Sequence, residues 1–505
     1  LKAWRNLVYG RPAHRRTVGG AMEHMRLDCD RFRTRIQRLL SVWTWPLDAL
    51  LLVTGKASDD SMVHMHKAAA MHHWLLGIEF PETAMALLKN GHVIFLASAK
   101  KVEYLRQVEG PDVSFLARAA TADADADRGQ FEELVARIRG QSERVTVGML
   151  LEGKHVGSFA DAFMQVVPSL GGVNVVECRN EISALLAPKD DIEIAQVKQS
   201  SRFAQLMMQY IFVRKLEEII DRDMQQSNRD VCTVVEGEMD SDALMSSWQK
   251  SYSLEPGELD LLYVSLQSGM HFDLKPAMEP TDDLIPMQGT YLLSLGMKYS
   301  EYSSCLTRTL LVDPVPKQKD AYNLALEVQK SVIDSLKPDA CFRDIYLGAR
   351  AVVEAHKADL VDRFVRSVGF VMGLEFRDPQ YVLSEKSDRK VAAGMVFCVS
   401  VGFSDTVGGI RNSPWGVWLC DTVVVPVGGG ECEVLTSACS NKINDYMYEL
   451  DESAGAGAEP PKAEAVASKA AAPAPAAPPP QLPVKDAGKK SPAAKPPGGR
   501  KAKAE

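Results

Sequence analysis

Ser294-Leu295-Gly296-Met297, followed by Ser304-Cys305-Leu306-Thr307-Arg308-Thr309, is the stretch on which the fold turns. Both pieces lie in runs that read as strands, 289–298 and 303–312, where leucine, tyrosine and threonine suit a pleated, half-buried surface. Towards the C-terminus, helical patterns over 318–336 and 343–366 are followed by strands over 393–403, 416–426 and 432–437. Towards the N-terminus lie a strand over 261–268 and a long amphipathic helix over 190–223. That helix opens on Asp190-Asp191, where acids complement a helix N-terminus. Strand clusters separated by paired helices imply an α+β architecture with antiparallel sheet, not a Rossmann alternation.

Further out, Phe32, Ile36, Leu39 and Leu40 recur at helical spacing, and Asp48–Thr54 reads as a buried strand. Thr83–Leu88 and Val93–Ala97 flank Asn90-Gly91, a hairpin signal because both turn positions tolerate positive φ. A strand at Val145–Leu151, a helix at Phe159–Val167 and a strand at Val173–Cys178 complete an α/β lobe. The expected organisation is a disordered N-terminal extension over 1–29, an α/β lobe over 30–185, a second lobe over 186–450 and a tail over 451–505.

Charge divides along the same lines. Residues 1–22 carry Lys2, Arg5, Arg11, Arg15 and Arg16 and no acid, the pattern of an organellar transit peptide. The favoured alternative is that translation begins at Met22 or Met25. Residues 451–505 hold nine Lys/Arg, six Asp/Glu, eleven of the 27 prolines and no aromatic residue, so a disordered tail is expected. With a net charge of −8 for the whole chain, residues 23–450 carry sixteen excess negative charges. Such a body disfavours unspecific phosphate binding and suits a basic partner.

The nine cysteines (29, 178, 232, 305, 341, 398, 420, 432 and 439) include no C-x-x-C pair, which argues against a disulfide scaffold or zinc ribbon. No apolar run is long enough to span a bilayer. P-loop, H-E-x-x-H and G-x-S-x-G motifs are absent. Gly428-Gly429-Gly430 reads as a hairpin loop rather than a phosphate cradle. His64 and His66 read as one strand face and His72 and His73 as part of a following helix, so a four-histidine metal site is not expected.

Four motifs, in order, carry a family resemblance. The opening stretch resembles the D-F-G-A…S-D-[LI]-T-R-T segment of the prolidase and methionine-aminopeptidase family. Gly369-Phe370-Val371-Met372-Gly373-Leu374-Glu375 resembles its G-H-G-I-G-L-E loop. Gly394-Met395-Val396-Phe397-Cys398-Val399-Ser400 resembles G-M-V-F-[ST]-I-E, and Leu419-Cys420-Asp421-Thr422-Val423 resembles I-E-D-T-V. The resemblance implies a pita-bread lobe preceded by a creatinase/prolidase-type α/β lobe. That family holds two divalent cations with two Asp, one His and two Glu. The matching positions here are Ser294, Cys305, Phe370, Ser400 and Cys420, none a carboxylate or imidazole. Pro276 and Arg377 stand where substrate-facing histidines are expected. Hard cations need oxygen anions, so neither a di-metal centre nor peptidase activity is expected. Cys305 and Cys420 should lie together and could attract a soft ion, but no further ligand is evident for zinc, and buried reduced thiols are the favoured reading.

The first lobe narrows the resemblance. Lys67-Ala-Ala-Ala-Met-His-His-Trp-Leu-Leu-Gly-Ile-Glu-Phe80 and Phe95-Leu-Ala-Ser-Ala-Lys-Lys-Val-Glu-Tyr-Leu105 are similar to the N-terminal domain of the large subunit of the FACT histone chaperone. Cys305–Val312 and Gly402-Phe403-Ser404-Asp405 extend the likeness to about residue 448. What this implies is a nuclear, chromosome-associated, non-enzymatic module that binds core histones and nucleosomes during transcription, replication and repair. It implies no cofactor and no membrane, with DNA reached at most indirectly or through the tail. A smaller FACT subunit is the expected partner, although an Ala/Pro/Lys tail stands where a dimerisation domain is expected. No residue pattern for histone contact is available. The alternatives are a pseudo-peptidase adaptor for other peptides or nucleic acid and, less favoured, an active X-prolyl metallopeptidase.

Overall fold

The structure, a computed structural model, describes residues 26–56, 65–118, 124–152, 157–253 and 257–449. His64, the stretch before residue 26 and the tail lie outside the described residues. The Asp28 side chain accepts the Arg31 amide and caps a helix over Cys29–Ser41, so among the described residues regular structure begins at residue 29.

The first lobe is built on a six-stranded mixed sheet. Its strands are β1 (Ala49–Val53), β2 (Ala84–Leu88), β3 (Val93–Ser98), β4 (Val113–Arg118), β5 (Val145–Met149) and β6 (Val173–Glu177), in the order β4-β3-β2-β1-β5-β6. β2 and β3 form the hairpin expected around Asn90-Gly91, with Gly91 at φ +92°. Both faces are covered, which explains why β1 reads as an unbroken apolar run.

The second lobe centres on an antiparallel sheet in the order β10-β11-β12-β9-β8-β7. The strands are β7 (Leu259–Ser268), β8 (Gly289–Tyr299), β9 (Tyr302–Val312), β10 (Gly369–Val371), β11 (Val396–Thr406) and β12 (Trp415–Val424). The short β13 (Glu433–Val434) pairs with β12, and β14 (Met447–Tyr448) with β9. Helices Pro316–Ser335 and Phe342–His356 pack against each other, the first also lying on β11 and β12. Helix Asp191–Met207 lies against β8 and β9. Gly428–Gly430 lies in the loop joining β12 to β13.

Several expectations need correction. The helix expected over 190–223 is Asp191–Met207 and Val213–Asp221 joined by a π turn at Met208–Phe212, so the apolar stripe shifts by a residue without a break. The helix expected to reach 366 stops at His356, because Lys357 adopts φ −147°. A single 3₁₀ stretch, Ala358–Arg363, continues the apolar spacing that made it look longer. His66 is not on a strand: it caps helix Lys67–Leu76, its ring accepting the Ala68 amide at 3.3 Å.

Two motif glycines are required by close approach. Gly369 has φ +149°, and a Cβ there would lie 2.3 Å from the Cys398 carbonyl oxygen. Gly394 has φ +79°, and its Cβ would lie 2.6 Å from the Lys189 carbonyl oxygen. Gly369 seats the edge strand β10 against β11, and Gly394 brings the turn before β11 against the backbone at Lys189, constraints only glycine meets without strain.

Candidate functional site

The strand registers bring the five singled-out positions towards one place. Ser294 on β8 is opposite Thr307 on β9, Thr307 opposite Cys420 on β12, and Cys420 opposite Ser400 on β11. Phe370 on β10 faces Cys398 on β11. All five side chains are buried. Ser294 Oγ lies 2.7 Å from Thr307 Oγ1, and the Trp418 indole N–H donates to Ser400 Oγ at 2.9 Å. The Tyr263 hydroxyl lies 3.3 Å from Ser294 Oγ and 3.1 Å from Cys305 Sγ. Phe376 stands edge-on to both Tyr263 and Phe370, with ring centroids 5.5 and 5.6 Å away. The Arg377 guanidinium lies 5.2 Å from the Phe370 ring centroid.

Cys398 was not among the expected site residues. Its sulfur joins those of Cys305 and Cys420, and all three lie within 4.8 Å of one another. Its signal was its place two residues before Ser400, on the same strand face. Contacts with Cys398 and Cys420 pull the Cys305 thiol down, whereas contact with Cys305 together with burial pushes those two up. All nine cysteines are free. Apolar and aromatic side chains surround this pocket, and no carboxylate or imidazole stands at the five positions to hold a hard divalent cation.

Other motif residues serve the scaffold. Arg308 donates to Asp421 at 2.8 Å and to the carbonyl oxygens of Thr307, Cys420, Cys439 and Ser440. Asp421 also accepts from Gln329 and Thr436. Burial works against the Arg308 charge, but Asp421 more than offsets it and raises its pKa. This is a buried ion pair with its hydrogen bonds satisfied, the condition under which such pairs are tolerated.

A second polar assembly joins the lobes. Arg35 reaches Asp190, Glu193 and the Trp74 carbonyl oxygen, and Arg38 reaches Glu193 and Asp190. Both guanidiniums lie over the Trp74 ring, 5.2 and 5.7 Å from its centroid. Burial works against the Asp190 carboxylate, yet the Glu193 amide and Arg35 hold it below the usual range. Nearby, Lys67 bridges Glu375 and Asp378. Burial draws the Lys189 ammonium down to about 8 and pushes the Glu375 carboxyl up, against the pull of Lys67.

Comparisons with known proteins agree with both lobes. Residues 27–181 match the FACT complex subunit SPT16 N-terminal lobe domain, and residues 195–426 match metallopeptidase family M24. The FACT complex subunit SPT16 of Mycosarcoma maydis is 33% identical over 408 residues, which cover 76% of this chain and 39% of the relative. By its folded lobes, the chain belongs to the SPT16 family.

The SPT16 of Zea mays is 30% identical over 431 residues, covering 83% of this chain and 40% of the relative, so the chain spans well under half of either SPT16. The solved N-terminal domain of SPT16 from Eremothecium gossypii covers 85% of this chain and all of that one, at a TM-score of 0.77 and 26% identity. An X-Pro aminopeptidase from Thermotoga maritima aligns over 82% of this chain and all of its own, at a TM-score of 0.57 and 15% identity. That second likeness carries the fold alone. The SPT16 N-terminal fold therefore shares its pita-bread lobe with peptidases.

Proposed function

We propose that this chain is the histone-binding, non-hydrolytic module of a FACT-type histone chaperone, acting on nucleosomes in the nucleus during transcription, replication and repair. Membership of the SPT16 family carries the reading. The acidic body is consistent with it, since histones are basic and electrostatic complementarity steers encounter. Ser294, Cys305, Phe370, Ser400 and Cys420 are degenerate former ligand positions. Their neutral side chains, packed among Tyr263, Phe376 and Trp418, supply neither a di-metal centre nor a water-activating base. The smaller FACT subunit is its proposed partner within the complex.

The test is a titration of the full chain against core-histone dimers and tetramers at about 0.15 M salt, where surface charges are realistically screened, with duplex DNA as competitor. Saturable histone binding that survives the competitor is the expected result; its absence sinks the proposal. In parallel, an X-Pro dipeptide incubated with the chain and added manganese or cobalt should remain intact. Cleavage would restore the metallopeptidase alternative.

A further inference from the structure

The cluster of Cys305, Cys398 and Cys420 has a composition that packing alone does not require. Three strands, β9, β11 and β12, each deliver one cysteine to a single point, and all three side chains are fully buried. The thiols stay within 4.8 Å of one another in a chain whose other six cysteines are dispersed along other elements. A three-coordinate site with metal–sulfur bonds near 2.3 Å has its sulfurs about 4 Å apart. Small side-chain rotations would bring this trio to that spacing.

We propose that Cys305, Cys398 and Cys420 form a trigonal all-sulfur site for one soft monovalent d¹⁰ cation, Cu(I). Soft thiolates select Cu(I) or zinc among the common ions, and the surroundings distinguish these two. Zinc in structural sites takes four ligands. Among the nearby side-chain oxygens, the Tyr263 hydroxyl lies 3.1 Å from Cys305 Sγ, but burial and the Cys305 thiol both hold it in the neutral phenol form, a poor ligand. Ser294 is engaged with Thr307 and Tyr263, Ser400 with the Trp418 indole, and Thr422 with the Cys305 backbone. Phe370 contributes a ring with no donor atom to the same pocket. Charge gives the same answer. Each sulfur that binds as thiolate releases its proton to solvent. Cu(I) leaves the site neutral after one such release, whereas Zn(II) needs two thiolates formed in the apolar interior. The buried guanidinium of Arg308, which donates to the Cys420 carbonyl oxygen, is already paired with Asp421.

Because the sulfurs are fully buried, the full chain is refolded from urea anaerobically, with a phosphine reductant and Cu(I) supplied as its bicinchoninate complex. The expected result is transfer of one equivalent of Cu(I) to the chain, a sulfur-only coordination shell by X-ray absorption, and a raised melting temperature, since a ligand bound only to the native state stabilises it by mass action. Cys398→Ser, Cys305→Ser and Cys420→Ser should each weaken binding by at least about 100-fold, the upper end of what even outer-shell partners of a metal ligand contribute. Cys341→Ser, away from the cluster, should bind as the unaltered chain does. If a cluster variant does not refold, the melting shift and absorption spectrum of the unaltered chain decide. No transfer, transfer insensitive to the cluster cysteines, an oxygen or nitrogen shell, or preference for Zn(II) over Cu(I) would each overturn the site.

Discussion

At the level of single residues, Arg308 and Asp421 show what motif residues do for the scaffold. They are partners in a buried pair that ties β9 to β12 and to the segment around Cys439, and removing one strands the other charge. Arg308→Met should therefore cost about 3–5 kcal/mol in urea unfolding. The double change Arg308→Met with Asp421→Leu should recover most of it; equal loss in both would mean the pair does not act as a unit. His72 gives a pH prediction. It is buried in helix Lys67–Leu76, its Nδ1 accepts the Phe80 amide, and burial together with nearby His73 and Lys101 draws its pKa down to about 3. Between that value and the ordinary 6.5 the unfolded chain binds the extra proton. This stability is full above about pH 6.5 and falls as pH drops towards 3, by up to about 1.4 kcal/mol per pH unit. His72→Asn keeps an acceptor for Phe80 and should flatten the slope of unfolding free energy between pH 6.5 and 4.5. An unchanged slope would assign the acid sensitivity to other groups.

Among the elements, strands with strong local signals were legible. The β2–β3 hairpin, β8, β9, β11 and β12 follow from turn residues and apolar runs. Helix ends were less so: Lys357 breaks a helix whose apolar spacing runs on, and the π turn at Met208–Phe212 leaves no mark in periodicity. Nor was the helix Asn228–Glu238 expected, although Ser227 and Asp230 form a capping box at its start. Between elements, Trp74 links helix Lys67–Leu76 to helix Cys29–Ser41 through Arg35 and Arg38. Trp74→Ala should cost about 3–5 kcal/mol, as large aromatic deletions in cores do. Hydrogen exchange should also speed up in both helices and at the start of Asp191–Met207. Protection lost across the whole chain alike would show that the joint is not a local one.

For the whole molecule, the acidic body predicts that the histone affinity proposed above falls by about tenfold or more when salt is raised from about 0.15 to 0.5 M, because exposed charges are screened; a flat response would point to an apolar interface. Among the described residues, no helix is long and apolar enough to cross a membrane. The sequence by itself determined the two-lobe plan and the neutral residue types at Ser294, Cys305, Phe370, Ser400 and Cys420. Strand patterns and turn glycines are local, and side-chain chemistry is visible without coordinates. Only the tertiary structure decided that Cys398 stands with Cys305 and Cys420, that Tyr263 and Phe376 fill the pocket beside them, and that Arg35, Trp74 and Asp190 weld the lobes. These depend on which strands become neighbours in a sheet and which helices cross. Such pairings arise when distant segments bury their faces together, and no single segment encodes them.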